Sequence, residues 1–344
     1  MHLELESSLR AYAGTEDAMI YSYDVATPAS TIPAFAKRGD LLLVDEGVNF
    51  ALQSGIMLSR SDVRYWRHND VAHLQRLLEE VRAEDTAAGR AEGSTPPNRR
   101  FIICEGLYSN WGDLAPLEQI VKLKQKFCFR LLVDESYSLG SLPGPRGRSA
   151  CDYAGLPPDT VEIVTGSLGN TLGSVGGFCL GSRQVISHQR LNASGYVFSA
   201  SLPPYLASGA LASLRQLEEQ PALRDRLAKN AALLRSLLEK GLKGIAPLSG
   251  APFSPLIHVR LAGTRPGDDG ESDACLAQEQ LLQRVCARAL ADSSVLFSTA
   301  KYSALERRRP PPSIRIAVCA LHSEAEMKTA ATALANALKA VGVR

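Results

Sequence analysis

The chain has 344 residues, a formal net charge of +2 and 45% hydrophobic residues. This composition suggests about two domains with a sizeable core, and it excludes wholesale disorder and a basic field for nucleic acid. The 7 cysteines include no CxxC pair and the 6 histidines show no metal-ligand spacing, which indicates a reducing compartment and argues against a structural zinc site. No apolar run approaches the roughly 18 to 20 residues that a membrane-spanning helix needs.

Short apolar runs alternate with helical patterns through the first 200 residues. The runs lack polar alternation, which indicates a mainly parallel sheet covered by helices on both faces. We predict strands at residues 18–23, 41–45, 63–67, 101–105, 130–134, 161–166, 177–180 and 197–199. We predict helices at residues 50–58, 71–88, 117–127 and 183–193.

The pattern changes in the last third of the chain. A long helical pattern at 204–242 contains Pro221, which should break or kink it. Predicted strands at 256–261, 295–297 and 314–319 then surround helices at 274–291 and 324–341, as in an α+β unit. We therefore expect a large α/β domain over residues 1–242 and a smaller C-terminal α+β domain over residues 243–344.

Polar residues end three of the predicted strands and directly follow a fourth. Ligands of open α/β sheets bind outside the carboxyl ends of the strands, so these positions are candidates for a site. An aspartate at a strand end also commonly caps the next helix, and both interpretations stay open for each position alone. The four residues are Asp45, Glu105, Asp134 and Ser167.

Collinear motifs from Gly14 to the last helix support a more specific interpretation. Together they resemble the α-oxoamine synthases, which are pyridoxal-phosphate enzymes of fold-type I that join an amino acid to an acyl-CoA with loss of carbon dioxide. The resemblance implies the fold-type I transferase fold, with a mainly parallel sheet flanked by helices. The motifs are GTEDAM, GDLLLVDEGVNFALQSG, RHND, EGLYSNWGDLAPL, LLVDESYSLGSLPGPRGRS, NTLGSVGGFCLGS, YVFSASLPP, SPLIHV and PPPSIRIAV.

The lysine that defines catalysis in that family is missing. Active members carry Thr/Ser-x-x-Lys-Ala-x-Gly-x-x-Gly-Gly, whose lysine forms a Schiff base with the cofactor. Here the position is Asn170, and no lysine occurs between Lys126 and Lys229. An amide cannot form an imine, so we expect no catalysis by this chain alone.

Two more positions depart from the active members. The family's ring-stacking histidine corresponds to Asn49, and the histidine of its Asp-Glu-Ala-His motif corresponds to Tyr137. Asp134 is retained at the position that pairs with the pyridine nitrogen, and it either still contacts a cofactor or caps the strand end. The resemblance implies that Asn49 and Tyr137 line a shared cofactor cleft.

A further segment, Tyr196 to Pro204, is the candidate for completing a neighbour's site. In relatives the site lies at a two-fold interface, and Ser/Thr hydroxyls of this segment reach the phosphate of the other subunit's cofactor. Ser199 and Ser201 fit such a contact, because hydroxyl and amide donors satisfy a phosphate without a formal charge. The segment is alternatively a turn that caps the helix beginning near Pro204.

Within the family, the chain resembles the lysine-free subunits of the heterodimeric eukaryotic serine palmitoyltransferases. That resemblance implies a lysine-bearing second subunit that mainly holds pyridoxal 5'-phosphate. It implies condensation of L-serine with palmitoyl-CoA to 3-ketodihydrosphingosine, in sphingolipid biosynthesis at the cytosolic face of the endoplasmic reticulum membrane. The alternative is a regulatory or scaffold pseudoenzyme that binds the catalytic subunit only. Since these relatives have a longer N-terminal region that includes a membrane anchor, we expect this chain to be N-terminally truncated.

Overall fold

The computed structural model of the chain describes residues 1–90, 98–145, 147–261 and 273–343. Within these residues the chain separates into two units. The first unit comprises Met1–Tyr108, Leu114–Ser141 and Pro145–Gln220. The second unit comprises Ser109–Asp113, Leu142–Gly144 and the chain from Pro221 onward.

A sheet of seven strands runs through the described part of the first unit, in the spatial order β1-β7-β6-β5-β4-β2-β3. Neighbours among β2 to β6 run parallel, whereas β7 is antiparallel to both β6 and β1. Every residue of β2, β4 and β7 is buried, as expected for strands covered on both faces. The predicted mainly parallel sheet is confirmed. The strands are β1 (Asp17–Tyr21), β2 (Leu41–Asp45), β3 (Asp62–Trp66), β4 (Arg100–Glu105), β5 (Arg130–Asp134), β6 (Ile163–Ser167) and β7 (Gly177–Gly181).

Helices flank this sheet, and several begin at a side chain that accepts a backbone N–H. Asp70 accepts from His73 N at the start of α4, and Ser182 accepts from Val185 N at the start of α7. The helices described in this unit are α1 (His2–Ala13), α2 (Ala26–Phe35), α3 (Phe50–Ser59), α4 (Val71–Ala87), α5 (Leu117–Phe127), α6 (Ala150–Tyr153), α7 (Arg183–Asn192), α8 (Ser194–Val197) and α9 (Pro204–Glu219).

Two local assignments from sequence differ from the structure. The predicted strand at 197–199 is wrong, because Val197 ends α8 and Phe198 is 87% exposed instead of pairing in the sheet. Helix α2 is not among the predicted elements, and it contains Pro28 and Pro33, residues that disfavour a helix interior. Pro28 lies in the first turn, where its missing N–H has no helical partner to lose, and burial of Ile32 favours the helix despite Pro33.

In its described part, the second unit packs three helices against a small antiparallel sheet. Pro221 separates α9 from α10, which confirms the predicted break. The predicted strand at 295–297 is displaced, since the observed strand starts at Ser298. The strand order is β10-β11-β9-β8. The described elements are α10 (Ala222–Gly241), β8 (Leu248–Ser249), β9 (Leu256–Arg260), α11 (Asp273–Ser293), β10 (Ser298–Thr299), β11 (Ser313–Ala317) and α12 (Glu324–Ala340). No helix within the described ranges is long and apolar enough to cross a membrane.

Helix α10 belongs to the second unit because its apolar face packs in that unit's core. Leu234 and Leu238 of α10 lie in one buried cluster with Ile257 of β9, Leu282 of α11 and Leu334 of α12. The observed division therefore falls at Pro221. The boundary predicted after residue 242 lies at the other end of this helix.

A buried histidine marks the middle strands of the second sheet. His258 is fully buried, with Nδ1 3.0 Å from Ser313 Oγ and Nε2 3.0 Å from the carbonyl oxygen of Ser109. A carbonyl only accepts, so Nε2–H donates to it and Nδ1 accepts from the Ser313 hydroxyl. The ring is satisfied in its neutral form, and burial lowers the pKa of His258 to about 3.

We expect His258 to make the protein less stable as the pH falls below 6.5. Below that pH the unfolded chain binds a proton that the folded chain does not. The free energy of unfolding therefore falls by about 1.4 kcal/mol per pH unit, and by about 2 kcal/mol in total at pH 5. Urea unfolding of wild type and His258→Gln near neutral pH and near pH 5 measures this. The variant should lose less stability on acidification, and equal losses in the two proteins would contradict the assignment.

Candidate functional site

The carboxyl ends of four neighbouring strands place polar side chains at one edge of the first unit's sheet. Glu105 ends β4 and Asp134 ends β5, and the two are partners in the parallel register. Asp134 is in turn the partner of Thr165 in β6. Asp45, Glu105 and Asp134 are all at most 3% exposed, so this edge combines three carboxyl groups with almost no solvent.

Asp134 is held by donors from its own chain. Its Oδ2 accepts from Thr165 Oγ1 at 2.8 Å, and its Oδ1 accepts from Ser136 N at 3.0 Å. Burial raises the pKa of Asp134, and these two hydrogen bonds oppose that shift. Both carboxylate oxygens therefore have a partner without any ligand. Sequence reasoning does not single out Thr165, because a threonine inside a buried strand carries no motif signal.

Asn170 lies in the loop after β6 and reaches the loop after β5. Its Nδ2 donates to the carbonyl oxygen of Ser136 at 2.8 Å, while the side chain remains exposed. Ser136 thus joins Asn170 to Asp134 through its backbone oxygen and nitrogen. Tyr137 follows directly and is half-buried.

Glu135 anchors the rest of the loop that follows β5. Its carboxylate accepts from Ala150 N at 2.9 Å and from the hydroxyl of Ser138. Burial raises the pKa of Glu135 to about 7. The loop that carries Ser136 and Tyr137 is therefore fixed at its start by a buried acid.

Asn49 is the capping residue of α3. Its Oδ1 accepts from Ala51 N at 2.9 Å and from Leu52 N at 3.3 Å. Its backbone N donates to Glu105 Oε1 at 2.7 Å, which links the end of β2 to the end of β4. The side-chain oxygen of Asn49 is committed to the helix terminus.

A buried Asp–His pair lies at the end of β2. Asp45 Oδ1 accepts from Gly47 N at 2.7 Å and lies 2.9 Å from Nδ1 of His68, while Oδ2 accepts from Asn69 N at 3.0 Å. The His68 ring meets the Tyr108 ring edge-on, with centroids 4.5 Å apart. Asp45 thereby links the RHND motif to the turn that precedes α3. The sequence motif that contains Asp45 does not by itself reveal this role.

Ser199 and Ser201 lie beside the end of β1, which is two strands away from Ser167 of β6 in the sheet. Both are exposed, and they line a cavity of about 260 Å³ together with Tyr21, Tyr196 and Arg190. The Ser199 hydroxyl donates to the carbonyl oxygen of Ala200 at 3.3 Å. Within the described residues, no hydrogen bond joins either serine to Asp134, Asn49 or Asn170.

Large apolar side chains are exposed around these serines. Val197 is 45%, Phe198 87% and Tyr205 74% exposed. We call residues 196–205 the exposed segment. Exposed apolar clusters of this kind are typical of surfaces that contact another chain.

The residues that the structure describes contain no cluster of three or more His, Cys, Asp or Glu side chains that could hold a metal ion. The acids at the strand ends are instead matched by backbone N–H groups and hydroxyls.

Comparison with known proteins gives a consistent set of relatives. The sequence profile of the family described as aminotransferase class I and II matches residues 1–334. The Long chain base biosynthesis protein 1c of Oryza sativa subsp. japonica is 41% identical over 327 residues, which cover 95% of this chain and 64% of the rice protein. Serine palmitoyltransferase 1 of Dictyostelium discoideum is 40% identical over 330 residues, which cover 95% of this chain and 66% of that protein. The chain thus spans slightly less than two thirds of the length of these curated relatives.

Solved structures share the fold over nearly the whole chain. The serine palmitoyltransferase of Sphingomonas wittichii superposes with a TM-score of 0.80 at 27% identity, covering 99% of this chain and 77% of the other. A structure described as SPT with PLP internal aldimine gives a TM-score of 0.80 at 27% identity, covering 100% of this chain and 77% of the other.

Proposed function

Since this chain belongs to the aminotransferase class I and II family, we propose that it is the lysine-free subunit of a serine C-palmitoyltransferase. The complex condenses L-serine with palmitoyl-CoA and releases 3-ketodihydrosphingosine, carbon dioxide and free CoA, in sphingolipid biosynthesis. A second, lysine-bearing subunit holds pyridoxal 5'-phosphate. The proposed location, the cytosolic face of the endoplasmic reticulum membrane, rests on the family resemblance alone.

One observation carries the proposal, namely the asparagine at the lysine position. Asn170 stands in a stretch that otherwise keeps the family's glycine pattern, and its amide donates to Ser136 O. Two relatives that match at about 40% identity are named Long chain base biosynthesis protein 1c and Serine palmitoyltransferase 1. A chain with this fold and without that lysine needs a partner to complete the chemistry.

The chain's own cleft does not fit a covalently held pyridoxal phosphate. Covalent attachment needs an amine, and Asn170 offers an amide that is already paired with a backbone carbonyl. Asn49 is committed as a helix cap, and both oxygens of Asp134 accept hydrogen bonds from this chain. We propose that no step of the reaction takes place in this cleft. The cofactor contacts that the family resemblance implies for Asp134, Asn49 and Tyr137 remain predictions.

The exposed segment is proposed to complete the partner's site. Ser199 and Ser201 present hydroxyls to solvent, and hydroxyl donors suit a phosphate group. The exposed side chains of Val197, Phe198 and Tyr205 supply the apolar area that a stable subunit contact buries. The two serines would then hydrogen-bond the phosphate of the cofactor that the partner holds.

A scaffold role is the second candidate, and one contact favours it. The Ser199 hydroxyl already donates to Ala200 O, as it would in a turn with no ligand to bind. In that role the chain binds the catalytic subunit but contributes no group to its site. Serine substitutions in the assembled complex distinguish the two roles.

Co-expression with a lysine-bearing homologue tests the proposed function. We expect the purified complex to condense L-serine with palmitoyl-CoA, and this chain alone to show no turnover, because it has no lysine at position 170. Turnover is measured as release of free CoA and of the ketone product. Condensation by the chain alone, or failure to form a complex with any such homologue, would contradict the proposal.

A further inference from the structure

We propose that Asn49 and Asn170 brace this chain's own strand ends, so that its cleft is held in shape without pyridoxal phosphate. This inference rests on the proposed function in one respect: the two positions are matched to the residues that hold the cofactor in active relatives. The bracing itself follows from hydrogen bonds within the chain. We call Asn49, Glu105, Asp134, Ser136, Thr165 and Asn170 the strand-end cluster.

The first brace joins the loops after β5 and β6. Asn170 Nδ2 donates to Ser136 O at 2.8 Å, and Ser136 N donates to Asp134 Oδ1 at 3.0 Å. Thr165 Oγ1 donates to Asp134 Oδ2 at 2.8 Å, which returns the connection to β6. The ends of β5 and β6 are thus joined by a closed network of hydrogen bonds within the chain, and no ligand is needed to complete it.

The second brace joins the ends of β2 and β4. The side chain of Asn49 accepts from two N–H groups in the first turn of α3, which fixes the turn in which its own N–H lies. That N–H donates to Glu105 Oε1 at 2.7 Å. Glu105 is fully buried, and this hydrogen bond brings one backbone donor to its carboxylate in a place that excludes water.

The two braces together engage both carboxylate oxygens of Asp134 and one carboxylate oxygen of Glu105. Asparagine suits both places, since its carbonyl oxygen caps a helix and its NH₂ group reaches a backbone carbonyl. A ligand that entered the cleft would have to compete with these internal donors and acceptors. We therefore expect pyridoxal phosphate not to stabilise this chain through its own cleft.

Thermal unfolding of the 344-residue chain tests the absence of binding. Pyridoxal phosphate is titrated to millimolar concentration, with inorganic phosphate as the control. A ligand that binds only the folded state raises Tm with concentration, so an unchanged Tm is expected. A rise with pyridoxal phosphate that inorganic phosphate does not reproduce would overturn the inference.

Hydrogen exchange tests the first brace. In Asn170→Ala we expect the amides of residues 136–142 to exchange about fivefold faster, the effect of losing one modest hydrogen bond. Asn192→Ala is the matched control, because Asn192 is also exposed and its Nδ2 donates within α7 to His188 O at 2.8 Å. Unchanged exchange at 136–142 in Asn170→Ala would overturn the role of Asn170.

A pair of substitutions tests the side-chain cap that holds the second brace in place. Asn49→Ser keeps a capping oxygen and should leave the urea midpoint nearly unchanged. Asn49→His removes the cap and should raise the unfolding equilibrium constant about fivefold. Equal midpoints for the two variants would overturn the role of Asn49. Neither result depends on assembly with the partner, so failure here is distinguishable from failure of the proposed function.

Discussion

Replacing Ser201 by glutamate in the assembled complex is expected to weaken retention of pyridoxal phosphate by at least about tenfold, because a carboxylate near a phosphate adds charge repulsion worth more than about 1.4 kcal/mol. Ser201→Ala should have a smaller effect, since it removes at most one hydrogen bond. Retention is measured as the absorbance of bound cofactor after gel filtration at a fixed protein concentration. Turnover should fall in parallel.

The matched control for this substitution is Ser194→Glu. Ser194 is exposed and begins α8, only a few residues before the exposed segment, and it is not part of the proposed phosphate contact. A glutamate at a helix start is tolerated. If both variants assemble normally and retain the cofactor equally, Ser201 does not face the phosphate, and the scaffold role is the better description.

Replacing Gly177 by alanine is expected to destabilise the first unit by about 3 kcal/mol, at the upper end of the cost of overpacking a buried site. Gly177 lies in β7 between Tyr21 of β1 and Ser167 of β6. A Cβ atom there would collide with Thr27 Oγ1 and would lie 2.9 Å from the backbone oxygen of Gly166. The sheet and α2 leave no room for a methyl group.

The matched control is Gly209→Ala in α9, where a Cβ atom would meet nothing within 4 Å. Alanine is the better helix former, so this variant should be about 0.5–1 kcal/mol more stable than wild type. Urea unfolding followed by far-UV circular dichroism measures both. Similar midpoints for the two variants would show that the packing around Gly177 is looser than described.

The sheet could be predicted from sequence because its strands are continuous apolar runs. The segments LLLVD and RLLVD become β2 and β5 with the predicted bounds. Prediction failed where local sequence and tertiary packing disagree. Helix α2 forms despite Pro28 and Pro33 because side chains such as Ile32 are buried. The apolar run at 197–199 is not a strand, because Val197 ends α8 and Phe198 is exposed.

The candidate site could be predicted only in part. The motifs identify Asp134 and Asn170, and the structure connects them through Ser136. That connection depends on backbone atoms, which no motif reports. For the exposed serines, the resemblance to the family predicts a role that the structure of this chain alone does not display. The Ser199 hydroxyl is proposed to contact the partner's cofactor, and within its own chain it donates only to the neighbouring Ala200 carbonyl oxygen.

The central claim is that the second subunit, and not this chain, binds pyridoxal phosphate covalently, and borohydride reduction tests it most directly. Reduction makes the bond between pyridoxal phosphate and a lysine permanent, and mass spectrometry of the digested complex then locates the label. We predict one label per heterodimer, on the lysine of the second subunit, and none on this chain, whose position 170 is asparagine. A stoichiometric label on any lysine of this chain, in a complex that condenses serine with palmitoyl-CoA, would contradict the account.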